Sequence, residues 1–204
     1  MSTAPKRLLT PAEYLAQERR AAFKSEFYQG ETFAMAGASR EHNLIVGNLV
    51  GEVRDQFKGR KCEVYPSDMR VRVSATGLYT YPDVTIVCGT PEFEDEQVDT
   101  LLNPTVLLEV LSESTEAYDR GTKSAHYRRL PSLMEYVLIA QDRPHVERYV
   151  RQPDGGWLLR EATGLDEAVD LESVSVHLPM SEIYRQVTMK ADHPLKGNAS
   201  GAPR

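Results

Sequence analysis

The sequence predicts a mixed α/β fold in which a β-sheet lies between helices. Two long segments, 38–59 and 112–129, carry apolar residues at helical spacing. The segment 104–111 (PTVLLEVL) is almost wholly apolar, as expected for a central strand that is covered on both faces. The predicted order of elements is helix, hairpin, helix, strands, helix and strands, which is the order of a layered α/β domain.

Capping and turn signals predict the N-terminal elements. The segment TPAE, from Thr10, combines a capping box with proline at the first helical position, so we expect a short helix over 11–20. Aromatic residues in 23–33 predict a β-hairpin that turns at Gln29-Gly30. The first long helix is expected to open at Ala38-Ser39 and to end at Gly59.

Short apolar or alternating segments predict the other strands. In 69–74, apolar residues alternate with Arg70, Arg72 and Ser74, so one face of this strand is expected to be exposed and basic. An acidic segment, 92–96, is expected to be a solvated loop. The other predicted strands are 61–65, 81–88, 104–111, 135–140, 145–151 and 157–161, and the last helix is 180–188. We expect one domain over 1–188 and a disordered C-terminal tail over 189–204.

The composition predicts a cytoplasmic protein. A chain of 204 residues that is 41% hydrophobic can bury one sizeable core. Cys62 and Cys88 are too few for a disulfide framework, so we expect both to be buried free thiols in a reducing compartment. No apolar segment reaches the roughly 18–20 residues of a membrane helix, and the N-terminus lacks the apolar stretch of a secretory signal.

The formal net charge is −6, which argues against a constitutive nucleic-acid coat, because such binding depends on Lys and Arg that neutralise phosphates. The charge does not exclude an enzyme that acts on nucleic acid. A catalytic carboxylate cluster adds negative charge that bound metal offsets, and a basic patch can lie within an acidic protein.

Two carboxylates in apolar strands are the strongest candidates for chemistry. Glu109 interrupts the apolar segment 104–111, and a buried carboxylate is costly unless it is paired or holds a metal. Asp83, after Pro82, stands at the margin of another apolar strand. Because adjacent strands lie about 4.8 Å apart, both carboxylates could reach one cation. A salt bridge from Glu109 to an arginine at the edge of the core is the alternative.

The surrounding segments resemble a known family. Pro82-Asp83 followed by Glu109 is similar to the PD-(D/E)XK nuclease signature. The ordered set YPDVTIVCG, PTVLLEVLSEST, YDRGTKSAHYRR and LMEYVLI resembles the Uma-type family, a domain of unknown function that is grouped with the restriction endonucleases. SEFYQGETFAMAG and His42 fit the same pattern. The resemblance covers residues 8–185; the PD…E pair alone is a weak motif, whereas the ordered set is specific.

This resemblance implies a restriction-endonuclease-like fold, a mixed β-sheet flanked by helices, and a site that cleaves phosphodiester bonds with Mg²⁺ or Mn²⁺. Asp83, Glu109 and the backbone carbonyl of Val110 are the implied metal ligands. Glu31 could complete the acidic cluster, and Glu26 and Glu41 are weaker rivals for that place. The implied substrate is nucleic acid, with DNA favoured over RNA.

The sequence departs from the nuclease signature at one position. Leu111 stands where the signature has a lysine, so a catalytic cation has to come from elsewhere. Lys123 is the candidate, because the Uma-type family places a lysine in the helix after this strand. Asp119, Lys123 and Tyr127 are spaced four apart and so share one helix face, although an exposed Asp119–Lys123 ion pair is the alternative.

His42 precedes the apolar face of the first long helix. It is either a histidine at the edge of the core or a partner of the metal ligands, as a proton shuttle or through a hydrogen bond. Candidates for phosphate contacts are arginines, although each could equally be solvated surface. They are Arg70, Arg72, Arg128 and Arg129.

These residues predict a Mg²⁺-dependent endodeoxyribonuclease. A homodimer is expected, because duplex cleavage needs two sites and the chain offers one. The main alternative is a nuclease-fold binding or assembly module without catalytic activity, which the missing strand lysine and the acidic charge favour. An unrelated hydrolase is less favoured, since the sequence has no G-x-S-x-G, H-E-x-x-H or P-loop motif.

Overall fold

The computed structural model describes residues 7–189, so the predicted tail lies almost entirely outside the described residues. The helices are α1 Pro11–Glu18, α2 Arg40–Gln56, α3 Glu116–Tyr118, α4 Ser124–Tyr127 and α5 Met180–Ile183, with a π-helical turn, Asp119–Lys123, between α3 and α4. The strands are β1 Ser25–Tyr28, β2 Glu31–Ala34, β3 Cys62–Pro66, β4 Arg70–Val73, β5 Leu78–Thr80, β6 Val84–Cys88, β7 Thr100–Leu101, β8 Val106–Leu111, β9 Glu135–Ala140, β10 His145–Arg151, β11 Trp157–Thr163, β12 Ala168–Leu171 and β13 Val176–Pro179.

A six-stranded mixed sheet forms the centre of the fold, in the order β11-β10-β9-β8-β6-β3. Strands β8 and β9 are parallel, and the other pairs are antiparallel. A second sheet has the order β2-β1-β5-β4-β7, and β12 and β13 form a two-stranded sheet. The predicted mixed α/β fold is confirmed, with three sheets where the sequence suggested one.

The central sheet buries apolar side chains on both faces, which explains why β8 is almost wholly apolar. On one face, Leu108 and Val110 pack in a cluster with α2, the β12–β13 hairpin and α5. On the other, Leu107 and Leu111 pack with β4, β5 and residues of α4. Because side chains alternate along a strand, Glu109 points to this second face.

Capping and turn chemistry place the N-terminal elements as expected. Thr10 and Glu13 form the predicted capping box of α1. The β1–β2 hairpin turns at Gln29-Gly30, where both residues have positive φ. Helix α2 starts after Ser39, whose hydroxyl accepts a hydrogen bond from the His42 backbone N–H.

Other boundaries differ from the predictions. The helix expected over 112–129 begins at Glu116 and contains the π-helical turn, and the last helix ends at Ile183 rather than 188. Strands β5, β7, β12 and β13 were not expected. Strand β5 pairs with distant β1 as well as with neighbouring β4, and β7 pairs with distant β4, so periodicity alone does not reveal these two strands. Strands β12 and β13 form a local hairpin.

The prediction of two free thiols was wrong. Cys62 and Cys88 lie directly opposite each other on β3 and β6 and are joined by a disulfide, with 4.1 Å between their Cα atoms. This pairing follows from strand register, which two isolated cysteines in a sequence do not reveal.

The expectation of an exposed basic face on β4 was also wrong. Arg70 is only 3% exposed and donates to the Tyr81 hydroxyl at 2.7 Å and to Thr100 Oγ1 at 2.9 Å. Arg72 forms an ion pair with Glu94. The acidic segment that was expected to be a solvated loop covers this face and supplies Glu94. No helix within residues 7–189 is both long and apolar enough to cross a bilayer.

Candidate active site

Strand register brings Asp83 and Glu109 together. In the antiparallel β6–β8 pair, Val84 lies opposite Leu108. One step further along this register places Asp83, which immediately precedes β6, opposite Glu109 in β8. Glu109 is 3% exposed, and Asp83 is half-buried at the end of its strand. The two acids predicted from the sequence therefore meet at one edge of the β6–β8 pair.

The Asp83 carboxylate is held by two groups through a single oxygen. Its Oδ2 accepts a hydrogen bond from the Val110 backbone N–H at 2.8 Å and lies 3.1 Å from His42 Nε2. The sequence suggested that His42 contacts the metal ligands, and its imidazole lies against Asp83 from the first turn of α2. Its Nδ1 is buried and has no hydrogen-bond partner among residues 7–189.

Glu109 also uses one carboxylate oxygen for its contacts. Its Oε1 accepts from the Tyr127 hydroxyl at 2.7 Å and lies 2.9 Å from Lys123 Nζ. Burial raises the pKa of Glu109 to about 8; Lys123 opposes this shift, while Asp119 and Asp83 add to it. The site therefore concentrates negative charge that a single ammonium only partly compensates.

Lys123 lies at the centre of three carboxylates. Its Nζ is 2.9 Å from Glu109 Oε1 and 3.4 Å from both Glu26 Oε1 and Asp119 Oδ1. Burial alone would lower the pKa of Lys123, but these carboxylates raise it well above its ordinary value. Lys123 is therefore a charged ammonium, and the exposed Asp119–Lys123 pair considered from the sequence is a buried one.

The π-helical turn brings Asp119, Lys123 and Tyr127 to the same side. An α-helix rotates about 100° per residue, so eight residues overshoot two full turns by about 80°. A wider π turn between Asp119 and Lys123 removes much of this overshoot, and such turns occur often at functional sites. The Tyr136 hydroxyl donates to the Asp119 backbone carbonyl at 3.1 Å and anchors the turn on β9.

Glu26, which the sequence analysis ranked below Glu31, contacts Lys123 in the structure. It is buried on β1, where it pairs with Lys123 and accepts hydrogen bonds from Thr80 and from the Tyr118 hydroxyl at 2.9 Å. Glu31, ranked above it, lies opposite Tyr28 on the facing strand. One signal in the sequence could have favoured Glu26. It lies inside the predicted strand, whereas Glu31 lies beside the turn.

Two carboxylate oxygens remain available in this site. Within residues 7–189, no hydrogen bond reaches Asp83 Oδ1 or Glu109 Oε2. Among the described residues, one group of three acidic or histidine side chains brings a ligand atom of each within 4.8 Å of the other two. That group does not include Asp83 or Glu109. Asp83 and Glu109 thus each have one carboxylate oxygen without a hydrogen bond from the described residues.

An open cavity of about 690 Å³ lies at the carboxyl ends of β8 and β9. Its wall includes Leu111, two residues after Glu109, and Ser39, the residue that caps α2. Four acidic residues also line it. They are Glu41, Glu113, Glu116 and Asp142.

Of the predicted arginines, Arg128 and Arg129 are exposed at the end of α4, unlike Arg70.

The chain is similar in sequence and in fold to known proteins. A family model described as "Uma2: Putative restriction endonuclease" matches residues 11–181. The uncharacterized protein sll1609 of Synechocystis sp. is 38% identical over 176 residues, which are 86% of this chain and 99% of that protein. The uncharacterized protein slr1290 of the same organism is 34% identical over 183 residues, 90% of this chain and 95% of that protein.

A solved structure shares the fold. The crystal structure of "a putative nuclease belonging to DUF820" from Anabaena variabilis matches with a TM-score of 0.70 at 18% sequence identity. The match covers 85% of this chain and 96% of that one, so it includes nearly the whole of the neighbouring structure.

Proposed function

The chain belongs to the Uma2 family, and from this premise we propose that it is a metal-dependent endonuclease that hydrolyses phosphodiester bonds in DNA. One observation carries the proposal. Lys123 Nζ lies 2.9 Å from Glu109 Oε1, on the edge where Asp83 faces Glu109. A lysine from the following helical segment therefore stands in for the strand lysine that Leu111 replaces.

The donor set fits a hard divalent cation such as Mg²⁺ or Mn²⁺. Mg²⁺ takes one or two carboxylates in many enzymes and completes its shell with water and phosphate oxygens. Asp83 Oδ1 and Glu109 Oε2 are available for this purpose. The Val110 carbonyl is a third candidate, because the N–H and C=O of a strand residue point to the same side and its N–H points to Asp83. Glu31 remains a candidate ligand.

When bound, a divalent ion supplies Lewis-acid activation of water and compensates the charge that develops on the scissile phosphate. Lys123, fixed by three carboxylates, is placed to orient the attacking water or to donate to a phosphate oxygen. His42 and the Val110 N–H hold one oxygen of Asp83, so that the other oxygen faces the reacting groups. Tyr127 does the same for Glu109.

Exposed arginines are the candidates for contacts with the phosphate backbone of the nucleic acid. Arg128 and Arg129 are exposed and can contact the phosphate backbone. Arg72 is a weaker candidate because Glu94 already pairs with it, and buried Arg70 is excluded. A homodimer would supply the second site that duplex cleavage needs.

Cleavage assays test the proposal. Purified protein is incubated with supercoiled plasmid, single-stranded DNA and RNA, each with Mg²⁺, Mn²⁺ or EDTA. We expect metal-dependent cleavage of plasmid by the wild type and none by Asp83→Ala. Asp68→Ala is the matched control, since its carboxylate is 87% exposed and, within residues 7–189, pairs only with Lys24. Equal activity in wild type and Asp83→Ala would overturn the assignment.

A binding module without activity is the alternative, and the acidic wall of the cavity is the observation that favours it. Isothermal titration with Mn²⁺ separates the two functions. An active site loses Mn²⁺ binding in Glu109→Ala, whereas a degenerate site gives the same titration in both proteins.

A further inference from the structure

A second group of possible ligands lies on the β10–β11 hairpin, apart from the Asp83–Glu109 site. Glu147 and Glu161 are directly opposite each other in the antiparallel register, and His145 is two residues before Glu147 on the same face. One ligand atom from each of the three side chains lies within 4.8 Å of the other two. The hairpin register alone therefore brings one imidazole and two carboxylates together.

The group brings two carboxylates together, and the protein offsets this charge in part, because Arg120 pairs with Glu147 Oε2 and His145 Nε2 lies 3.1 Å from Glu161 Oε1. Like charges directly opposite each other on paired strands are destabilising. The Glu147 side chain is only 9% exposed, so water compensates little of this repulsion. A buried carboxylate normally has its oxygens satisfied by donors.

The two oxygens of Glu147 differ in their contacts. Oε2 accepts from the Arg120 guanidinium and more weakly from the Tyr149 hydroxyl at 3.4 Å. Oε1 accepts no hydrogen bond within residues 7–189; its recorded contact is His145 Nδ1 at 3.8 Å, which is too long for a hydrogen bond. Arg120 thus holds Oε2 and leaves Oε1 as the oxygen on the side of the imidazole.

We propose that His145, Glu147 and Glu161 bind a divalent transition-metal ion, with Zn²⁺ as the best match. An imidazole with two carboxylates suits Zn²⁺ and its neighbours, whereas Mg²⁺ prefers oxygen ligands alone. Glu161 is more than half exposed and can rotate to close the ligand set. Water completes the coordination.

The ion would clamp the edge of the central sheet. Strand β11 pairs with β10 and is the last strand on that side of the sheet. A metal bridge from Glu161 to two residues of β10 ties this edge strand down. Since Arg120 belongs to the π-helical turn, the same bridge also steadies the segment that carries Lys123.

Cobalt is the probe, because Co²⁺ replaces Zn²⁺ and absorbs visible light in a low-coordinate site with an imidazole ligand. Titrations use the Asp83→Asn, Glu109→Gln protein, in which the nuclease-type site is removed, so the result does not depend on the proposed nuclease function. We expect one Co²⁺ per chain, displaced by Zn²⁺. Adding Glu161→Gln or His145→Gln should weaken binding roughly 10-fold or more.

The matched control is His177→Gln. His177 forms an exposed contact with Asp170 on β12–β13, so it is a histidine–carboxylate pair outside the proposed site. It should leave Co²⁺ affinity unchanged. Zn²⁺ should also raise the melting temperature of the parent protein but not of the Glu161→Gln variant, since binding to the folded state stabilises it.

A protonated imidazole between the two glutamates is the competing arrangement. It predicts no Co²⁺ binding and no effect of Zn²⁺ on the melting temperature. Either that result, or equal Co²⁺ affinity in the parent and the Glu161→Gln protein, overturns the proposal. Glu161 is largely exposed, so its substitution tests binding without threatening the fold.

Discussion

Two buried glutamates on neighbouring parallel strands have opposite surroundings. Glu135, at the start of β9, is fully buried; its Oε1 accepts from the Ser173 N–H at 2.8 Å and from the Ser173 hydroxyl at 2.6 Å. Its Oε2 accepts from Arg148 at 3.2 Å. Glu109, on β8, receives both of its donors on one oxygen and has Asp83 and Asp119 nearby.

Under the proposed function, this difference separates a structural carboxylate from a reactive one. A buried charge that stabilises a fold has donors on every oxygen, because each missing donor costs free energy. A carboxylate left with an open oxygen and surrounded by like charges is held ready for a cation or a substrate. Perturbed titration in a cleft is the usual sign of such a group. Burial alone does not distinguish the two.

The largest expected effect is on catalysis at Glu109. Glu109→Gln keeps the shape of the side chain and the Tyr127 hydrogen bond but removes a charged ligand. We expect cleavage of plasmid to fall on the order of 1000-fold, because the metal contributes several kcal/mol to the transition state. Single-turnover rates with saturating Mn²⁺ measure the effect, and a fall of less than tenfold would contradict the role given to Glu109.

The reverse result is expected at Glu135. Glu135→Gln leaves Arg148 without its buried partner, so the free energy of unfolding should fall by about 3 kcal/mol. Urea denaturation followed by circular dichroism measures this loss. Cleavage per folded molecule should stay at the wild-type level, and a loss of activity in a fully folded variant would break the distinction between the two glutamates.

The pH dependence of stability should report on Glu109. In the folded protein, Glu109 keeps its proton up to about pH 8, whereas the unfolded chain releases it near the ordinary pKa of 4.5. The contribution of Glu109 to the free energy of unfolding of the metal-free protein should therefore be highest below pH 4.5. It should fall as pH rises towards 8, by up to about 1.4 kcal/mol per pH unit.

Melting temperatures in EDTA between pH 5 and 8 test this expectation. The decline should be shallower in Glu109→Gln, which cannot release a proton, and unchanged in the exposed control Asp68→Ala. An identical slope in wild type and Glu109→Gln would show that another group carries the pH dependence.

The smallest effect is expected at Glu26. It shares Lys123 with Glu109 and Asp119, so Glu26→Gln removes one of three carboxylates and leaves the other two. We expect a loss of about tenfold in cleavage rate, the equivalent of one charged hydrogen bond. A loss as large as that of Glu109→Gln would instead make Glu26 a direct metal ligand, which Mn²⁺ titration would detect.

Much of this arrangement could be predicted from local patterns. The family resemblance is confirmed by the match over residues 11–181. Asp83 and Glu109 were visible as charges in apolar strands, and Lys123 was a candidate because the resembled family places a lysine in the helix after the Glu109 strand. The prediction of these three residues depends on their neighbours in sequence and on one strand pairing. Their roles in catalysis remain predictions.

Long-range contacts could not be predicted in the same way. Arg70 looked exposed because its partners, Thr100 and Asp99, are about thirty residues away on a strand of only two residues. The Cys62–Cys88 disulfide depends on register between two strands. Glu26 reaches Lys123 only because the first hairpin folds over the helical segment, and no periodicity encodes that approach.

The π-helical turn also has a genetic consequence. A wide turn is an α-helix with one residue inserted, so deleting a single codon among residues 119–123 would restore a regular helix. Each α-helical residue turns about 100°, so a deletion within 120–122 leaves Asp119 and Tyr127 about 700° apart and on the same side, whereas Lys123 moves to about 300° from Asp119. Under the proposed function, such a deletion should lower cleavage while the fold is kept. The residue that widens the turn and sets the position of Lys123 is thus also a place where the activity can be lost.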